Sequence, residues 1–363
     1  MQHDSGARPL VIGHRGAPGY RPEHTRSSYE LAFALGAEAV EPDIVATRDG
    51  VLVLRHENEI SGTTDVATRA EFASRRTTRE VDGRRLTGWF VEDFTWAELS
   101  TLRARERLGL VRQASASFDG RYPILRLRDL FELIDTAADE QRRRIRMVAE
   151  FKHATHFAAL GLPLDELFAA ELDEAGWGRG DSRLIMEAFE LDVLDRLRAR
   201  GIHGARVFLI EAKGSPADLV LEHGRAAPRF DEFVTEAGLF RLSGRVEGVS
   251  VDKVRLLPAA DDAAPGEGGP ATRGAQGDPR EQTPLTGADL VDAAHSAGLQ
   301  VFTWTLRPEN RFLSPAFRRG RARASFGDWL GEFEQVISTG VDGIFVDHPD
   351  LGLEARAAAS ARS

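Results

Sequence analysis

The chain has 363 residues, 42% of them hydrophobic and 29% charged, with a net charge of −10 and no cysteine. That length suits one large barrel or two modest domains, and the composition is that of a globular protein. The acidic balance argues against general nucleic-acid binding, and the missing thiols exclude disulfides, thiolate metal sites and cysteine nucleophiles.

No stretch reaches the roughly 18 apolar residues of a membrane span. Met1–Pro9 is polar and contains no apolar signal segment. The expectation is a cytoplasmic protein, or a periplasmic or secreted one if the sequence is a mature exported form.

Along the chain, short apolar runs alternate with amphipathic stretches. Strands are predicted over Leu10–Gly13, Ala39–Val45, Ile145–Lys152, Leu184–Phe189, Ala205–Ile210, Gly248–Asp252, Leu299–Thr305 and Gly343–Val346. Helices are predicted over Thr25–Leu35, Leu127–Asp139, Pro163–Ala175, Leu191–Ala199, Asp218–Ala237, Gly287–Ala297, Phe326–Thr339 and Leu351–Ala359. Eight strand–helix units in order predict an α/β fold, a (β/α)8 TIM barrel over residues 8–355. An open doubly wound sheet fits less well, because no glycine-rich phosphate turn opens the first helix. Two segments break the rhythm. Residues 58–122 hold no clean strand–helix unit, only a helix-like Thr95–Arg107, and predict an inserted subdomain after the second strand, over the top of the barrel. Residues 261–283 are rich in Gly, Pro, Asp and Ala and predict a flexible loop.

The chemistry concentrates in Val11–Glu57. Glu41 and Asp43 sit two apart in a predicted strand, so both project to one face. Paired carboxylates repel unless they share a proton or a cation, and oxygen ligands of this kind suit Ca2+ or Mg2+. A solvated acidic face is the alternative, but the run around them is apolar. Glu150 at the end of the third strand would complete a three-carboxylate cation site, with Lys152 on the same face as a phosphate contact. His14 follows the first strand, where barrel active sites form, and Gly16 permits a sharp turn after it. Arg15 offers a planar fork to a phosphate. A second histidine, His56, follows the run Val51–Leu54. Two such histidines can act as general acid and general base at neutral pH. Glu23 and His24 lie in the loop before the first helix, with Glu23 a further acid for the site. His153 and His156 read as surface or loop residues. Trp304, at the end of the seventh strand, packs either on substrate or in the core.

These motifs together resemble the glycerophosphodiester phosphodiesterase family, in its bacterial long-insertion branch. The shared elements are HRG at His14–Gly16, PE-x-T at Pro22–Thr25, E-x-D at Glu41–Asp43, TRDG at Thr47–Gly50, His56, and E-x-K at Glu150–Lys152. FTWTL at Phe302–Leu306 and GVDGIFVDHP at Gly340–Pro349 extend the resemblance over about residues 10–350. It implies a TIM barrel with an insertion after the second strand, and metal-dependent hydrolysis of glycerophosphodiesters to sn-glycerol 3-phosphate and an alcohol. It further implies one divalent cation, Ca2+ first and Mg2+ second, held by Glu41, Asp43 and Glu150. His14 and His56 would be catalytic, and Arg15, Lys152 and Trp304 would contact the small-molecule substrate. The chain departs from the family pattern at His24, Glu57 and Arg128, which bears on substrate fit rather than chemistry. Rival expectations are phospholipase D-type action on lysophospholipids and a non-catalytic glycerophosphodiester-binding barrel.

Overall fold

The computed structural model describes residues 8–258 and 283–362. The loop predicted over 261–283 lies, but for Thr283, outside them. Twelve strands are present among the described residues: β1 (Leu10–His14), β2 (Ala39–Glu41), β3 (Asp43–Ala46), β4 (Leu52–Leu54), β5 (Thr77–Val81), β6 (Arg84–Gly88), β7 (Arg146–Phe151), β8 (Leu184–Ala188), β9 (Ala205–Ile210), β10 (Gly248–Asp252), β11 (Gln300–Leu306) and β12 (Gly343–Val346). β1, β2 and β7 to β12 pair in parallel in that order, and β12 returns to β1. The eight strands close a barrel with helices between them, the TIM barrel expected from the alternation.

One predicted strand is two. Ala39–Val45 breaks at Pro42, which has no N–H to give a ladder. β2 stays in the barrel wall, whereas β3 pairs with β7 on one side and antiparallel with β4 on the other. That hairpin carries the chain from Asp43 to His56 at the barrel mouth.

Two helix expectations also change. The helix expected over Asp218–Ala237 splits into Ala217–His223, Phe230–Phe233 and Glu236–Leu242. Gly224 takes φ +59°, a left-handed stop, and Pro228 follows. Within Thr95–Arg107 only Trp96–Leu99 is helical; downstream, Ala104 and Arg103 make isolated bridges to Thr64 and Pro123. Elsewhere the boundaries agree closely. Thr25 caps the helix Arg26–Ala34 by accepting from the Ser28 N–H, and Leu191–Ala199 is helical as expected.

The core has two layers. Inside the barrel, Ile12, Ala39, Val148, Ile185, Val207, Phe302 and Phe345 come from seven different strands and pack on one another. Around it, the outward residues meet helix stripes such as Leu127, Leu130, Phe131 and Ile134. The inner layer is tight. A Cβ added to Gly343 would lie 2.5 Å from Phe302 Cδ1. Gly343→Ala should therefore cost about 1–3 kcal/mol by overpacking, read from denaturant unfolding; an unchanged midpoint would show that the barrel interior can relax.

No helix among the described residues is long and apolar enough to cross a membrane.

Candidate active site

In a strand, residues two apart share a face. The inner apolar layer is therefore followed, one step toward the C-terminal mouth, by polar side chains: Ile12 by His14, Ala39 by Glu41, Val148 by Glu150, Ile185 by Glu187, Phe302 by Trp304 and Phe345 by Asp347. This ring is where barrel enzymes bind their substrates.

His14 is buried, and its Nδ1–H donates to Asp347 Oδ1 at 2.6 Å. Acceptance by an ionised carboxylate sets the tautomer and leaves Nε2 for other work. After His14 the chain turns: Arg15 takes φ +56° and Gly16 φ +94°. A Cβ on Gly16 would stand 2.5 Å from Ser28 Oγ, so the third residue of the motif must be glycine. The turn aims the Arg15 N–H at Glu41 Oε2, 2.8 Å away, and its guanidinium at Glu23 and Asp43, 3.1 and 3.2 Å away. His56 mirrors His14: its Nδ1–H donates to Glu57 Oε1 at 2.5 Å.

The acids fall into two adjoining groups. Ligand oxygens of Glu41, Glu150 and Glu187, all buried, lie within 4.8 Å of one another. Asp43 is not of that trio. Its Oδ2 accepts from His24 Nε2 at 2.8 Å, Arg15 Nε is 3.2 Å from the same oxygen, and Lys152 Nζ is 3.5 Å from Oδ1. The reason is the Pro42 break, which puts Asp43 on a different strand from Glu41. Asp43 is nonetheless adjacent: it pairs in register with Glu150. Glu41 Oε1, Asp43 Oδ1 and Glu187 Oε2 are buried and lack any hydrogen-bond partner. Bare, buried carboxylate oxygens in and beside such a trio are what a hard divalent cation satisfies.

Electrostatics agree with that division. Burial, then Asp43 and Glu150, push the Glu41 carboxyl well above its usual range. Burial and Lys152 act in opposite senses on Glu150, which is raised to about 8. Glu187 is raised by burial, then by Glu150 and Asp43. Asp43 goes the other way: burial opposes it, but Lys152, His56 and Arg15 hold it well below the carboxylate range. Lys152 donates to Glu150 at 2.7 Å and stays cationic, since Glu150 and Asp43 outweigh its burial. Burial, then Arg15, lowers His14 to about 4; burial, then Arg15 and Lys152, lowers His56 to about 3. These surroundings favour the neutral form of both imidazoles.

The remaining predicted residues fall as follows. Trp304 is half-buried and stacks edge-on against Phe189 at 5.7 Å, with Nε1 buried and unpartnered at the mouth. His153 and His156 stay out of the ring, on Asp82 and Glu92. Arg128 lies on an outer helix, paired with Glu171 and Glu174. His24, a departure in the motif, is fully buried between Asp43 and Tyr29 and orients the aspartate. Glu187, Asp347, Arg107 and Arg112 were not singled out in the sequence. Glu187 was findable, because the run LIMEA ends on an acid in step with the other strand ends; the two arginines carry no local signal.

A barrel mouth with two carboxylate-held histidines, two cationic side chains and a buried acidic trio has the groups that phosphoester chemistry calls for. The sequence profile of the glycerophosphoryl diester phosphodiesterase family matches residues 14–351. A glycerophosphodiester phosphodiesterase of Arabidopsis thaliana is 29% identical over 354 residues, covering 94% of this chain and 84% of that protein. One of Haemophilus influenzae is 27% identical over 197 residues, 52% of each. Among solved structures, an Oleispira antarctica phosphodiesterase in complex with the product sn-glycerol-3-phosphate covers 96% of both chains at a TM-score of 0.57 and 17% identity, a likeness of fold. The chain belongs to the glycerophosphoryl diester phosphodiesterase family, enzymes of glycerophosphodiester hydrolysis.

Proposed function

We propose that the chain releases sn-glycerol 3-phosphate and an alcohol from glycerophosphodiesters, with His14 and His56 as its acid–base pair and a divalent cation in the acidic cluster. The carrying observation is that both histidines present Nδ1–H to a carboxylate, which leaves Nε2 free on each, within the electrostatic reach of Arg15 and, for His56, of Lys152. The product found in the Oleispira antarctica protein supports the choice of substrate. The reading places the barrel over 8–355, with 58–122 as an inserted subdomain.

Glu41 and Glu150 would hold the cation, with Asp43 through its bare Oδ1 and Glu187 through its bare Oε2. A bound cation there, Ca2+ or Mg2+, supplies charge neutralisation to the phosphate and acidifies a nearby hydroxyl. Arg15 and Lys152 bind the other phosphate oxygens and stabilise the negative charge that builds there. One Nε2 takes the proton from the attacking hydroxyl or water; the other histidine, which takes up a solvent proton as the phosphate's negative charge enters the site, gives it to the leaving alcohol. Trp304, edge-on against Phe189, would pack on the substrate's glycerol or head group.

The test is release of glycerol 3-phosphate from glycerophosphocholine, with and without EDTA. Release is expected with Ca2+, Mg2+ or Mn2+ and its loss with chelator. No release with any of the three ions would overturn the reading. Faster turnover of lysophosphatidylcholine would favour the phospholipase D-type alternative.

A further inference from the structure

Both histidine-holding carboxylates are themselves held from behind, and by the same short stretch of chain. Arg107 is bidentate to Glu57, through Nη1 and Nη2 at 2.8 Å each. Its other edge is bidentate to Glu23, through Nε and Nη2 at 2.6 Å each. Five residues on, Arg112 Nη2 donates to Asp347 Oδ2 at 2.6 Å, and its Nε donates to the buried Glu309 at 2.6 Å. The two chains of contact are thus Arg107–Glu57–His56 and Arg112–Asp347–His14.

The stretch between the arginines is built to keep their spacing. The Val111 and Arg112 N–H groups both donate to the Leu108 carbonyl, at 2.6 and 2.8 Å, closing a turn. Upstream, Arg105 N–H reaches the Thr63 carbonyl at 2.9 Å. Downstream, Ser115 Oγ donates to Glu106 Oε2 at 2.6 Å and the Ala116 N–H to the Arg112 carbonyl at 2.9 Å. Leu110 at the crest is 92% exposed, so nothing apolar anchors the turn there; its ends and its arginines do.

We propose that residues 107–112 form a strap whose two arginines position both catalytic histidines, acting through Glu57 and Asp347. The inference rests on the acid–base reading of His14 and His56. A carboxylate gripped by a guanidinium fork keeps one rotamer and its charge, and so fixes the ring plane and tautomer of the histidine that donates to it. The fork matters: a lysine supplies one point charge and cannot grip two oxygens. Burial opposes ionisation, but His56 and Arg107 hold Glu57, and Arg307 and Arg112 hold Asp347, well below the ordinary carboxylate range. The two arms differ. Asp347 also accepts from Arg307 Nε at 2.6 Å, whereas among the described residues Arg107 is the one guanidinium in direct contact with Glu57. The Arg107 arm is therefore the more sensitive.

The test is steady-state kinetics on glycerophosphocholine with saturating divalent cation, using the full chain. Arg107→Gln and Glu57→Gln should each lower kcat roughly tenfold or more, short of the loss on removing His56 itself. Arg107→Lys should recover part of that loss. In a His56→Ala background Glu57→Gln should cost little further, because Glu57 acts on the site through the histidine, whereas Arg107 also grips Glu23, the partner of Arg15. Arg112→Gln leaves Glu309 unpaired, so it is made together with Glu309→Gln; its loss should be smaller than that of Arg107→Gln. Wild-type kcat in Arg107→Gln and Glu57→Gln, with His56→Ala inactive, overturns the strap and leaves the acid–base reading standing. So does a loss in Glu57→Gln that persists undiminished in the His56→Ala background, which would mark a general structural role. Full activity in His14→Ala and His56→Ala overturns the acid–base reading, and the strap with it.

Discussion

His14→Ala and His56→Ala are each expected to lower kcat on glycerophosphocholine by about 10²–10⁴, with KM changed much less. The size follows from what is removed. Each ring is the one titratable group of its arm with a nitrogen left over after its carboxylate is served. The two losses should not add, because proton removal and proton delivery belong to one reaction path. Asp347→Asn should give an intermediate loss. The amide oxygen can still accept from Nδ1–H, but the charge that favours that tautomer is gone, and Arg112 and Arg307 are left facing a neutral group. The measurement is a set of initial rates on folded variants. Near-wild-type rates in both histidine variants would sink the assignment.

The second large effect concerns the acidic trio. Stripping divalent ions should abolish turnover and also destabilise the protein, and the destabilisation should grow with pH. Glu150 is raised to about 8 in the folded chain, and Glu41 and Glu187 are raised too. Raised carboxyls hold protons that the unfolded chain releases near their ordinary range. Their contribution is thus present at acidic pH and is lost as pH climbs toward 8. A bound cation removes the repulsion that a lost proton leaves behind. At a hundredfold excess over Kd it adds about 3 kcal/mol of stability, or several °C in Tm. Melts from pH 5 to 8 with EDTA should slope downward, and excess Ca2+ or Mg2+ should flatten them. Glu187→Gln removes one charge from the trio and should raise the EDTA melt at pH 8 while weakening the response to cation. Superimposable melts with and without ion would refute a cation site at these residues.

The strand–helix rhythm was legible because each barrel strand is a short, mostly apolar, buried run and each helix a polar stretch with an apolar stripe. Those patterns are local, and packing reinforced them. HRG, E-x-D and E-x-K were legible because a strand projects alternate residues to one face, so spacing alone places Glu150 and Lys152 together. The Asp218–Ala237 helix was misjudged where Gly224 and Pro228 outweighed the apolar pattern. The grouping of the acids was not legible. Spacing put Glu41 with Asp43, but Pro42 sends them to different strands, and the third member of the trio comes from β8, 146 residues after Glu41 in the chain.

By itself, then, the amino-acid sequence determined the barrel, the two histidines, the cationic pair and two of the three gathered glutamates, because periodicity and short motifs act over a few residues. Only the tertiary structure decided which carboxylates meet, which histidine leans on which acid, and that Arg107 and Arg112 stand behind both. Those contacts join residues up to 333 positions apart. They arise because barrel closure brings β12 beside β1, a relation that no local pattern encodes.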